Sequence, residues 1–162
     1  MKIQNHTLAK VLRVTYLVAG ISLMPAVANA APHWSTSYGP TQMIYSNPGG
    51  RIIDFALQAA KYRASRTLIQ FAGQCDSSCT LFLGLPRSQT CISPGASFHL
   101  HAPVASNERA SHKAKLYMLR KYPGWVRSFI AMRGGLTRNL ITIDYSAASR
   151  FIPSCSGMVA SR

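Results

Sequence analysis

Between residues 41 and 83 the apolar residues switch spacing repeatedly, and that alternation restricts the fold more than any other feature of the chain. Residues 41–46 (TQMIYS) read as a short strand, broken by Asn47-Pro48-Gly49-Gly50. Ile52, Ile53, Ala56, Ala59 and Ala60 then recur at helical spacing through about Arg63. Residues 67–72 (TLIQFA) return to strand, and Asp76-Ser77-Ser78 opens a short apolar helix over residues 79–83. Strands that alternate with helices favour crossover connections, which predicts an α/β fold with a mostly parallel sheet and flanking helices.

The same reading continues to the end of the chain. Residues 88–93 and 96–101 are extended, separated by Pro94-Gly95, and Pro103 stops the second. Residues 107–121 form a basic helix, and residues 123–133 form another with Pro at its first turn and Gly134-Gly135 at its end. Residues 136–145 and a last short helix to Cys155 complete the domain. At 162 residues the chain has one domain's worth of polypeptide. No repeat or low-complexity tract interrupts it. A lead-in over residues 31–40 followed by a single domain over 41–162 is the expected organisation.

Residues 1–30 have the three parts of a secretory signal: basic Lys2, Lys10 and Arg13, an apolar run from Val14 to Met24, and Ala28-Asn29-Ala30 ahead of Ala31. Cleavage after Ala30 is expected, with export to the periplasm or medium. The alternative, a retained anchor, fits poorly because the run is short for a span of ~20 residues. The formal net charge is +14, from 18 Lys+Arg against 4 Asp+Glu. An exported cation meets anionic lipid or wall polymers before nucleic acid, and the basic residues are scattered rather than blocked with aromatics, so no nucleic-acid partner is expected.

Cys75, Cys79, Cys91 and Cys155 read as two disulfides in an oxidising compartment. Three pairings are open. Cys75 with Cys79 and Cys91 with Cys155 is favoured, because residues four apart across a helical turn approach bridging distance and the long loop gains most from closure. Zinc is the competing reading, weakened by the lack of a second matching Cys pair.

Three segments have separable chemical uses. Pro48-Gly49-Gly50 at a helix entrance lets backbone N–H groups approach a developing anion. Ser77 at the next strand-to-helix turn is held out of the core, and His101 ends a later strand where it can take a proton. In order and interval these segments resemble the proteolytic subunit of Clp protease and its relatives in the ClpP/crotonase superfamily, especially short exported ClpP-like proteins. The family pattern of Ser-Pro-Gly-Gly, Gly-x-Ala-Ala-Ser-Met-Gly-Ala, Pro-x-Ser and His-Gln-Pro stands here as Ser46-Asn47-Pro48-Gly49-Gly50, Gly73-Gln74-Cys75-Asp76-Ser77-Ser78-Cys79-Thr80, Pro94-Gly95-Ala96-Ser97 and His101-Ala102-Pro103.

The resemblance implies a reduced ClpP/crotonase-like core and a serine hydrolase, a peptidase acting on peptide or small acyl substrates without a cofactor. It makes Ser77 the nucleophile, His101 the general base, and the N–H groups of Gly50 and Ser78 the oxyanion hole. Asp144 is the best of the four acids to complete a triad; if it points elsewhere the site is a Ser-His dyad. Departures are the cysteines flanking Ser77 and the absence of the edge strand and helix with which such folds usually begin. A shortened sheet leaves an open edge, which another copy of the chain could cover. The competing function is a non-enzymatic module that binds an anionic envelope surface or protein. His99 and His101 share a strand face, but no third ligand follows at a familiar spacing. Trp125 and Phe129, four apart, read as core.

Overall fold

β2 (Leu68–Asp76) is the strand around which the domain is built. In the computed structural model, which describes residues 39–156, it pairs in parallel with three other strands. The leader, its cleavage point, most of the lead-in and residues 157–162 lie outside the described residues. β1 (Thr41–Asn47) runs along one edge of β2. Along the other edge lie β3 (Thr90–Ile92), beside the first half, and β4 (Ser97–Leu100), beside the second. β5 (Ile141–Ile143) pairs antiparallel with β4 and is the one reversed strand of the sheet. The expected α/β class with a mostly parallel sheet is what the chain adopts.

The alternation along each strand explains which face is covered. Ile69, Phe71, Cys75, Phe98, Leu100, Ile141 and Ile143 point to one side and are buried. Phe71 and Phe98 meet edge to face, centroids 4.9 Å apart. Between these positions Gln70, Gln74, Asp76, Ser97, His99 and Thr142 face the opposite, partly solvated side. One corner of that second face is closed by Leu68 with the Cys91–Cys155 disulfide, which ties the tail to β3.

Ser77–Gly84 is a 3-10 helix, not an α-helix starting at Cys79, and Ser78 to Leu83 are all buried. It lies under the covered face, against α1 (Ile52–Ala64) and α2 (Glu108–Lys121). Asn107 caps α2, its Oδ1 accepting from the Ala110 N–H at 2.8 Å, where the sequence reading started the helix. α3 (Gly124–Met132) buries Val126 and Ile130, and Trp125 stacks on Phe151 at the margin of the core. α4 (Tyr145–Ala148) follows β5, and beyond it Ser154 forms a parallel bridge to Ile92. Residues 88–93 split into a 3-10 turn (Arg87–Gln89) and β3.

At the β1–β2 bulge between Ile44 and Ser46, a Cβ on Gly73 would sit 1.8 Å from the Tyr45 carbonyl oxygen. Only glycine lets the two strands approach there.

Candidate active site

The end of β2 and the start of the 3-10 helix meet at Ser77. Its φ is 50°, one of two non-glycine residues in the left-handed region among the described residues, the other being Arg66. A serine held in that conformation between a strand and a helix projects from a sharp, sterically disfavoured turn. Its hydroxyl exchanges no hydrogen bond with any described residue, whereas its carbonyl accepts one from Thr80 Oγ1. Thr80 has one hydroxyl proton, spent on that carbonyl, so Tyr122 must be the donor in the 2.6 Å Thr80–Tyr122 contact. Burial pushes the Tyr122 phenol well above its ordinary range. A buried polar chain thus runs from the end of α2 to the backbone of Ser77.

The glycine turn lies directly against this elbow. Gly49 has φ +81°, and a Cβ there would fall 2.6 Å from the Asp76 carbonyl oxygen and 2.9 Å from Ser77 Cβ. Asn47 Oδ1 accepts from the Gly49 N–H at 2.9 Å and fixes the turn. Ser78, fully buried, accepts from the Gly50 N–H at 2.7 Å and donates to the Gly50 carbonyl at 2.9 Å. Of the two N–H groups expected to form an oxyanion hole, that of Gly50 is therefore bonded to Ser78 Oγ. The amide of Ser78 precedes the first i→i+3 bond of the 3-10 helix and has no partner within it.

The Cys75–Cys79 disulfide, with Cα atoms 5.4 Å apart, brackets Ser77. It spans the junction between a strand and a 3-10 helix rather than one helical turn, but it pairs the residues the sequence favoured. Cys91 and Cys155 form the second bridge, so the preferred pairing is the one present.

His101 follows β4. The β2–β4 ladder ends with Cys75 opposite Phe98 and Asp76 opposite His99, so Ser77 and His101 follow the last paired residues by one and two positions at the same end of the sheet. His101 Nδ1 lies 3.0 Å from the Ala102 carbonyl oxygen. A carbonyl only accepts, so Nδ1 carries the proton in that contact and the neutral ring keeps its lone pair on Nε2.

Asp144 is not brought to His101. β5 runs antiparallel to β4, with Phe98 opposite Ile143 and Leu100 opposite Ile141, so Asp144 stands level with Ser97. Four residues of strand, about 13 Å, separate that level from His101. Asp144 instead caps α4, its Oδ1 accepting from the Ala147 N–H at 2.8 Å and from Ser146 Oγ at 2.9 Å. Those bonds, the Ala147 amide first, hold its carboxyl below the usual carboxylate range.

The sequence reading missed a second pair. Asp76 and His99 face each other across β2 and β4, with His99 Nδ1 2.8 Å from Asp76 Oδ1. Oδ1 is buried and has no donor in line with it, so the contact is a close approach rather than an aligned hydrogen bond. Gln74 Nε2 donates to Oδ2 at 2.6 Å. The signal was there in two strand ends carrying an acid and a histidine, but only the pairing register joins them.

No protein-family model matches the chain, and no curated protein does. Among solved structures, the crystal structure of a peptidase from Plasmodium falciparum is similar at 11% identity, over 71% of this chain and 75% of that one, with a TM-score of 0.47.

Proposed function

We propose that this chain is an exported ClpP-like serine hydrolase that cleaves peptide or small acyl substrates. The observation that carries the reading is the left-handed Ser77 elbow with the Gly49-Gly50 turn against it. Ser77 Oγ attacks the substrate carbonyl carbon while His101 Nε2 takes the hydroxyl proton. The tetrahedral oxygen receives the Ser78 N–H. Collapse breaks the bond to the leaving group, which takes the proton from His101, and leaves an acyl-serine. Water then attacks with His101 again as base, releasing the acid and restoring the serine. The Ala102 carbonyl does for His101 what a triad carboxylate does elsewhere: it fixes the ring and its tautomer. A carbonyl stabilises the imidazolium less than a carboxylate would, so a slow enzyme is expected. Two disulfides fit an oxidising compartment. Among the described residues, no helix is long and apolar enough to cross a membrane.

The test is labelling of the purified, oxidised protein with a fluorophosphonate, beside Ser77→Ala and His101→Ala variants whose folding is checked by circular dichroism. Labelling lost in both variants supports the assignment. Labelling kept in Ser77→Ala, or absent from folded wild type and from Ser78→Ala after long incubation, rejects it.

A second reading rests on the outer face of α1 and α2. Ile53, Leu57 and Leu116 are exposed there, beside grooves of about 330 and 420 Å³ lined by Arg63, Lys113, Arg120 and Lys121 and by no acid. Apolar side chains with a cationic rim suit an anionic membrane surface. Retention on phosphatidylglycerol vesicles that is lost as salt rises supports it, and no retention at low salt removes it.

A further inference from the structure

We infer that the Ser78 hydroxyl holds the oxyanion hole closed, so that the resting hydrolase works with one donor where two are available in the backbone. The inference rests on the hydrolase reading of Ser77 and names how that site is restrained. Ser78 stands where the resembled pattern has methionine, which has no hydroxyl. Here the hydroxyl makes both of its bonds to one residue, accepting from the Gly50 N–H at 2.7 Å and donating to the Gly50 carbonyl at 2.9 Å. A single side chain thereby clamps the peptide group on either side of the Gly50 Cα.

The clamp competes directly with catalysis. A tetrahedral intermediate gains from every N–H aimed at its oxygen, and the Gly50 N–H is already bonded elsewhere. The asymmetry of surroundings says which partner can change. Ser78 is fully buried, so its hydroxyl has no water to turn to, while Gly50 is exposed. The Gly49–Gly50 peptide lies between two glycines, the first already at φ +81°, and this is the group with the conformational freedom to swing its N–H toward a bound substrate. Opening the hole leaves Ser78 without its acceptor bond. The closed state is thus the resting one, and substrate must bind well enough to displace it.

The test compares second-order rate constants for fluorophosphonate labelling, whose phosphoryl oxygen needs the same donors as an acyl oxyanion. Ser78→Ala removes the hydroxyl, keeps the Ser78 backbone N–H and frees the Gly50 N–H, whose exposed position lets water take both released bonds. One donor is worth roughly 10²–10³ in rate, so the variant is expected to label at least ~10-fold faster than wild type. Ser78→Thr, which keeps a hydroxyl able to bond Gly50, is expected to keep the Gly50 amide protected from exchange. The Gly50 amide, followed by hydrogen exchange, is expected to be protected in wild type and to lose that protection in Ser78→Ala. Ser78→Gly gives the same comparison if the alanine variant does not fold.

Wild-type labelling with no acceleration in the folded variant overturns the closed hole and leaves the hydrolase reading intact. Equal exchange of the Gly50 amide in both proteins overturns it independently of any activity. Absence of labelling from wild type and from every folded Ser78 variant removes the hydrolase reading, and the closed hole with it.

Discussion

Gly49→Ala and Gly134→Ala form a matched pair that tests whether the glycine turn abuts the Ser77 elbow. The two glycines have nearly the same backbone, φ +81° and +82°, so alanine costs both about 1–2 kcal/mol for entering the left-handed region. Their surroundings differ completely. A Cβ at 134 meets nothing within 4 Å, whereas one at 49 falls 2.6 Å from the Asp76 carbonyl oxygen, 2.9 Å from Ser77 Cβ and 3.1 Å from the Ser78 nitrogen. All three are backbone or Cβ atoms, which cannot rotate away. Overpacking of this kind adds ~1–3 kcal/mol. Gly134→Ala is therefore expected to lose about 1–2 kcal/mol and Gly49→Ala about 2–5 kcal/mol, read from equilibrium urea unfolding of the oxidised proteins. Fluorophosphonate labelling separates them further. It stays at the wild-type rate in Gly134→Ala and collapses in Gly49→Ala under conditions where both are folded, because relieving the contact displaces the Ser77 elbow. Equal losses of stability, or normal labelling of Gly49→Ala, would refute the apposition on which the site is built.

Two further perturbations address the frame around the site. Closing a loop between residues 64 apart is worth about 4 kcal/mol in chain entropy and one between residues 4 apart about 2 kcal/mol. Replacing Cys91 and Cys155 by alanine should therefore cost about twice as much, by urea unfolding without reductant, as replacing Cys75 and Cys79, and equal costs would contradict the estimate. Tyr122 makes alkaline stability diagnostic: burial raises its pKa in the folded state, so its contribution is complete below the unfolded value near ~10 and is lost as pH rises past it. The urea midpoint of Tyr122→Phe should fall less steeply than that of wild type above about pH 10, although the variant starts lower for want of the bond to Thr80. Parallel pH profiles would remove Tyr122 from the account.

Much of the fold was legible because it is local. The glycine break after β1, the helical spacing from Ile52 and the Asn107 cap each act within a few residues, and all appear where the sequence put them. The region 77–84 was harder. It is almost wholly buried, so no amphipathic stripe distinguishes a 3-10 from an α-helix, and the difference lies in packing against α1 and α2. Residues 136–145 shrank to the three of β5 for a related reason. A strand ends where its partner ends, and β4 offers only four residues. Asp76 with His99 was illegible because its two halves are joined by the register of β2 and β4 alone, with 22 residues of chain between them.

Asp144 shows how one reversed strand redirects a functional argument. The motif order placed it downstream of His101 and ahead of a helix, as a triad acid would be, and both of those features are present. In a parallel arrangement, a residue just past the end of its strand would emerge on the same side as the ends of β2 and β4, where Ser77 and His101 lie. β5 runs the other way, so the same residue emerges at the opposite end, beside Ser97. There its carboxylate is bonded to the Ala147 amide and the Ser146 hydroxyl, which holds the start of α4 and leaves that oxygen committed. The acid nearest Ser77 in the chain is Asp76, but its oxygens face His99 and Gln74 on the solvated side of the sheet. His101 is therefore oriented by the backbone of its own neighbour, Ala102. On the proposed hydrolase reading, a base held in this way keeps the lone pair it needs to take the Ser77 proton and gives up most of the stabilisation of the charged imidazole that follows, which is the physical reason to expect chemistry that is slow and dependent on both Ser77 and His101.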